Sequence, residues 1–186
     1  MSKIHIYYAN IVSKETALPE PFLSKYLNSG CASRKNEITS TYLLFKQIGL
    51  DINSLHYDEN GKPLLKDQWI SISHDEEMVV IATSDTNLGI DILSEDKQYD
   101  LVQKSLGIDS KEQFMKTWVI IESFMKYLGL GLKAGYKNIK VNLDGDTLLY
   151  KGELMNVEFI TNKIGSHYLG VLSDSIDEVI FDKIEL

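Results

Sequence analysis

Cysteine is almost missing from this 186-residue chain: Cys31 stands alone, which excludes an internal disulfide and suits a reducing compartment. No histidine pattern surrounds it to suggest a nucleophile, so Cys31 is expected to be a small buried residue. Arginine is as scarce, with Arg34 the single example. There are three prolines, no linker and no low-complexity tract. No apolar run is long enough to span a bilayer, and the N-terminus MSKIHIYYANI lacks a signal-peptide layout, so a cytoplasmic location is expected. The hydrophobic share of 44% is ordinary for a globular chain, and the length allows one domain or two small, intimately packed halves.

Net positive charge is also absent. The formal charge of −8 argues against general nucleic-acid binding. Yet the distribution is uneven: residues 51–110 carry 4 basic against 13 acidic side chains, and residues 111–140 carry 6 against 2. Lys126, Lys133, Lys137 and Lys140 therefore form a basic island in an acidic protein. That island fits a phosphorylated ligand, an acidic partner protein, or simply a mixed solvated face.

What is present is a strong helix signal over 110–132. Phe114, Trp118, Ile121, Met125 and Leu128 recur at intervals of three and four, Ser110 and Gln113 form a capping-box start, and Gly129 with Gly131 stops the helix. Glu122 and Lys126 fall on one edge of the stripe and are expected to pair at i,i+4, as a surface ion pair or as cleft-lining charges. Before this helix the pattern predicts a strand over 3–11, helices over 22–27 and 36–48, and strands over 69–74, 78–83 and 88–93. A helix is expected near 98–106, and after residue 138 the segments IKVNL, TLLY, VEFIT and HYLGVLS read as strands. The order predicts an α+β fold of two similar halves, 1–87 and 88–186.

Asp91 lies in the middle of the apolar strand LGIDIL, with Gly89 and Leu93 on its own face and Ile90 and Ile92 on the other. A carboxylate there needs a partner, a donor or a metal, unless the strand is an edge facing water. Glu122 is the obvious second carboxylate, and two carboxylates with room for water and phosphate oxygens suit Mg²⁺. His74 ends a strand after Ser73, and Asn60-Gly61 is a tight turn ahead of Lys62-Pro63.

Taken in order, Gly61-Lys62-Pro63, Ser71-Ile72-Ser73-His74, Gly89-Ile90-Asp91-Ile92, Trp118, Glu122-Ser123, Lys126 and Gly129-x-Gly131-Leu132 resemble the 4′-phosphopantetheinyl transferases. The match is to the longer, monomeric type with two halves related by a pseudo-two-fold. The resemblance implies transfer of the phosphopantetheine arm of coenzyme A to a serine of an acidic apo carrier protein, releasing 3′,5′-ADP. It implies Asp91 and Glu122 as Mg²⁺ ligands, Glu122 as base and Lys126 as the cation at the bridging phosphates. It further implies that Lys62 and Pro63 line the nucleotide end, that Ser73 and His74 meet phosphate oxygens, and that Arg34 serves the 3′-phosphate. A binding protein on the same fold, without transfer, is the alternative.

The chain departs from that family at several points. The usual acidic residue two after the aspartate is Leu93, and the usual lysine before the glutamate is Ile121. Asp75-Glu76 replaces Ser-Gly after His74, bringing negative charge toward the expected phosphates. The arginine ending the second helix is Phe45, with Lys46 beside it as the available cation. If residue 93 faces the ion, Leu93→Glu is expected to lower the Mg²⁺ requirement; if it packs in the core, the same change should unfold the domain.

Overall fold

The computed structural model describes residues 2–186. The first half runs β1 (Lys3–Asn10), α1 (Phe22–Leu27), α2 (Ala32–Gln47), the small hairpin β2 (His56–Tyr57) and β3 (Pro63–Leu64), then β4 (Trp69–His74) and β5 (Met78–Ser84). After a short turn come β6 (Leu88–Ser94), α3 (Asp100–Leu106) and α4 (Lys111–Leu128). A meander follows, β7 (Ile139–Asn142), β8 (Thr147–Tyr150) and β9 (Glu153–Leu154), then β10 (Glu158–Ile164), β11 (His167–Ser173) and β12 (Glu178–Lys183). The fold is mixed α+β.

One sheet has the order β12-β1-β5-β4 and a second the order β10-β11-β6. Strand β12 returns from the C-terminal part of the chain to pair in parallel with β1. Every residue of β5 and β11 is buried, which is why MVVIATS and HYLGVLS read as near-continuous apolar runs: both faces are covered. On β5, Val79 and Ile81 meet Leu44 and Phe45 of α2, while Val80 and Ala82 meet Ile90, Ile92 and Val171 of the other sheet. On the far side, Leu93, Tyr168 and Leu172 join Phe114, Trp118, Ile121 and Phe124 of α4. The layers are thus helix, sheet, sheet, helix.

α4 begins where Ser110 Oγ accepts the Gln113 N–H at 3.3 Å, and ends at left-handed Gly129. It lies unusually close to the second sheet. A Cβ on Gly89 would stand 1.9 Å from the Ser123 carbonyl oxygen, and one on Gly170 would stand 2.5 Å from that of Val119. Ser123 Oγ closes the contact, its one proton shared between Val119 O at 2.6 Å and Gly170 O at 3.0 Å. These two glycines let the helix backbone rest on β6 and β11, which brings Glu122 over the strand that carries Asp91.

Two sequence expectations change here. Cys31 is exposed at the N-cap of α2, since it precedes the first residue that turns inward. Leu93 does share a strand face with Asp91, but it is 3% exposed and packed into the cluster under α4. A carboxylate at 93 would be buried among aromatic side chains, so the loss of structure outweighs any service to an ion. Leu93→Glu is expected to cost several kcal/mol and abolish the cooperative thermal transition. Gly89→Ala should lower stability by at least about 1–3 kcal/mol, measured by urea unfolding, because backbone and not a flexible side chain must move.

Candidate active site at the seam of the two sheets

The edges of the two sheets meet where β4 runs beside β6. No backbone ladder is formed between them. Instead Ser71 Oγ accepts the Ile90 N–H at 3.0 Å, Ser73 Oγ accepts the Ile92 N–H at 3.2 Å, and Asp75 Oδ2 accepts the Ser94 N–H at 2.8 Å. The separation is 19 residues each time, so the two segments run in the same direction.

Asp91 projects from this seam and is 7% exposed. Its Oδ1 accepts from Ser73 Oγ at 2.9 Å and from Lys126 Nζ at 2.8 Å. Lys126 therefore pairs with Asp91 across from α4 to β6, not with Glu122 along the helix as its i,i+4 spacing suggests. The reason is electrostatic: an ammonium beside a buried carboxylate offsets more desolvation than one beside a carboxylate that still touches water. Glu122 is half-buried, and among the described residues it has no ion pair within 4.0 Å. Burial first, and then the neighbouring Asp91 charge, push its carboxyl up to about 7, with Lys126 acting in the opposite direction.

His74 stands at the end of β4 against α2. The Arg34 guanidinium donates to its Nε2, and its Nδ1 lies 3.3 Å from Glu37 Oε2, which Arg34 also holds at 2.7 Å. An imidazole that accepts from an arginine at Nε2 is neutral, with its proton on Nδ1 toward Glu37. Burial, and then the Arg34 charge, lower its pKa to about 4.

Two adjoining cavities of about 180 Å³ each flank the seam and share Gly61, Pro63 and Ile72. One extends to Arg34, Glu37 and His74, the other to Lys62, Lys126 and Gly129. Of the expected site residues, Lys62, Lys126, His74, Arg34 and Pro63 line these cavities, whereas Asp91 and Glu122 line neither and adjoin them through Lys126.

Two expected site residues have other partners, and a third lies away from the site. Ser73 is 3% exposed, and its hydroxyl proton is used on Asp91. The Lys62 ammonium donates to Asn87 Oδ1 at 2.7 Å and to the Tyr127 carbonyl at 2.6 Å, capping the end of α4; burial lowers its pKa to about 8. Lys46 is exposed in the last turn of α2, about 18 Å along the axis from Arg34 by helical rise, and lines neither cavity.

Residues not anticipated are Lys25, Glu37 and Tyr57. Most of Lys25 is exposed, but its ammonium sits 3.2 Å from the Tyr57 ring centre, where lost hydration and then Arg34 lower its pKa to about 8. Only the i,i+3 spacing of Arg34 and Glu37 was a usable signal, because α1 and the β2–β3 hairpin meet this cavity from distant parts of the sequence.

Asp75, which the sequence places close to the expected phosphates, is 3% exposed and faces the seam. Burial disfavours its charge, yet N–H donors from Ser94 and Glu76, with Lys97 at 3.5 Å, hold its carboxyl below the usual range. Its charge is thus absorbed within the fold.

Among the described residues, no group of three or more His, Cys, Asp or Glu side chains is arranged to hold a metal. Asp91 and Glu122 alone supply oxygen donors of like charge, one of them unpaired, which fits a hard cation that keeps waters and shares a ligand's oxygens. No protein-family model matches the chain, and no curated protein matches it.

The pH behaviour of this site is predictable in sign. Ionising Glu122 is opposed by the fold, so its share of stability falls as pH rises from about 4.5 to about 7. Protonating His74 is also opposed, so its share is lost as pH falls from about 6.5 to about 4. The two slopes oppose each other in the overlap. In metal-free buffer, Glu122→Gln should make the melting temperature climb more steeply from pH 4.5 to 6.5, and His74→Gln should flatten or reverse it. Equal slopes in all three proteins would contradict these environments.

Proposed function

We propose that the chain transfers the 4′-phosphopantetheine arm of coenzyme A to a serine hydroxyl of an apo carrier protein, on a fold of two similar halves related by a pseudo-two-fold. The observation that carries this reading is the trio Asp91, Glu122 and Lys126, contributed by β6 and α4, of which Lys126 borders a cleft. Glu122 supports it most directly, as a half-buried carboxylate whose proton affinity suits a general base near neutral pH.

In this reaction the serine oxygen forms a bond to the phosphorus that bears pantetheine, and the bridging P–O bond breaks. The serine proton goes to Glu122, and 3′,5′-ADP leaves with the electron pair. On this reading Lys126, whose resting partner is Asp91, offsets the charge that grows on the bridging oxygen. Asp91 and Glu122 would hold Mg²⁺, which when bound supplies charge neutralisation of the pyrophosphate. Arg34 and Lys25 supply positive charge at the other end of the cleft.

A second reading is a binding protein that holds coenzyme A without transfer. It is favoured by one feature: Lys62 and Lys126 are both already engaged within the protein. Incubation with coenzyme A, Mg²⁺ and a panel of apo carrier proteins, followed by intact mass measurement, separates the two. Gain of one phosphopantetheine on a carrier is the expected result; coenzyme A binding with no mass gain supports the second reading. Glu122→Gln and Asp91→Asn should each abolish transfer in a folded protein, and Lys126→Ala should lower turnover by a factor on the order of 100.

A further inference from the structure

We propose that Ser71, Ser73 and Asp75 act as one side-chain ladder that sets the position of Asp91, with Ser73 and Asp75 as positioning residues and not ligand contacts. This rests on the reading of Asp91 as a site carboxylate. Residues 71 and 73 share a face of β4, and 75 continues the period of two past the strand end. β4 therefore turns side chains, not its backbone edge, to the amides of β6. Those side chains take the N–H groups of Ile90, Ile92 and Ser94, so both amides flanking Asp91 are fixed.

Ser73 fixes the carboxylate as well as the backbone. Its single proton goes to Asp91 Oδ1, and its oxygen receives the Ile92 N–H. At 3% exposure, with its proton and its oxygen both used inside the fold, it has nothing left to offer a ligand. Ser71 borders the second cavity, but its oxygen also holds a β6 amide.

Asp75 extends the ladder at a point where the chain has begun its turn into β5, as its own N–H donates to Met78 O at 2.8 Å. A carboxylate reaches one bond further than a hydroxyl. Its second oxygen takes the Glu76 N–H, and Lys97 lies 3.5 Å from that same oxygen. The acidic residue is therefore a longer rung in the same series as the two serines.

Amide hydrogen exchange, read residue by residue by NMR on the full chain without ligand, tests the ladder directly. Ser73→Ala should speed exchange at Ile92 by about tenfold beyond any change at α2 amides, and Asp75→Ala should do so at Ser94. Asp75→Asn keeps an acceptor oxygen and should retain protection at Ser94. Ser73→Cys, nearly isosteric with a weak acceptor, serves if the alanine variant fails to fold, with the same direction of change.

Calorimetry with coenzyme A supplies the second readout. Ser73→Ala should leave coenzyme A affinity within about twofold while turnover falls by about tenfold. Unchanged exchange at Ile92 in both Ser73 variants, or loss of coenzyme A affinity with exchange unchanged, would overturn the proposal. If the wild-type protein neither binds coenzyme A nor transfers its arm, the proposed function fails, and exchange still decides whether the ladder exists.

Discussion

Three side-chain acceptors spaced two residues apart replace a β-ladder at the centre of this molecule. Each sheet is completed by ordinary backbone pairing, but the relation between them is carried by hydroxyl and carboxylate oxygens on β4. A backbone ladder would have merged the strands into one continuous sheet. Side-chain rungs instead let β4 present a face to the edge of β6, and they leave a cleft alongside. A buried amide without a partner costs about 1–3 kcal/mol, so exchanging any rung for an apolar residue strains the whole junction. The position of Asp91 depends on that junction from one side.

From the other side it depends on close helix packing. Gly89 and Gly170 allow α4 to rest backbone-to-backbone on β6 and β11, which sets Glu122 and Lys126 at the height of Asp91. The consequence is electrostatic. Two carboxylates and one ammonium share a partly dry space, and the ammonium settles on the more buried carboxylate. Glu122 is left with a raised proton affinity, which is the property a base at neutral pH requires. Packing thus tunes chemistry here.

Local signals in the sequence were strong where structure is local. The spacing of Phe114, Trp118 and Met125, the Ser110 cap and the Gly129 stop gave α4 nearly to the residue, and alternation gave β4 and the face of Asp91. What the sequence did not expose is pairing at long range. β12, a short strand with charged ends, owes its place to parallel pairing with β1, a partner nearly the whole chain away. The start of α2 at Ala32 was missed because its N-cap, Cys31, makes no side-chain cap bond. Lys126 was assigned to Glu122 by helical spacing, since nothing local announces that a β6 carboxylate lies within reach. The side-chain ladder was likewise invisible: SISHD reads as a strand and an acidic turn until β6 is set beside it.

Counting charges along the chain overstated the cations free to meet a ligand. Lys126 is paired with Asp91, Lys133 donates to Asn60, and Lys62 is occupied by Asn87 and the end of α4. Arg34 is balanced by Glu37, and His74 beside them is neutral. Near pH 7 the seam therefore carries two paired cations, two paired carboxylates and a Glu122 that is partly ionised, and the charge left uncancelled lies on Lys25 and Lys62, whose partners are neutral. The Asp91–Lys126 pair itself offers an anion little net charge. On the proposed reading, Asp91 and Glu122 would hold a divalent cation, whose charge would favour ionised Glu122 and weaken the hold of Asp91 on Lys126. Metal and anion would then bind as mutually dependent ligands, because Asp91 has its charge offset by Lys126 until a cation competes for it.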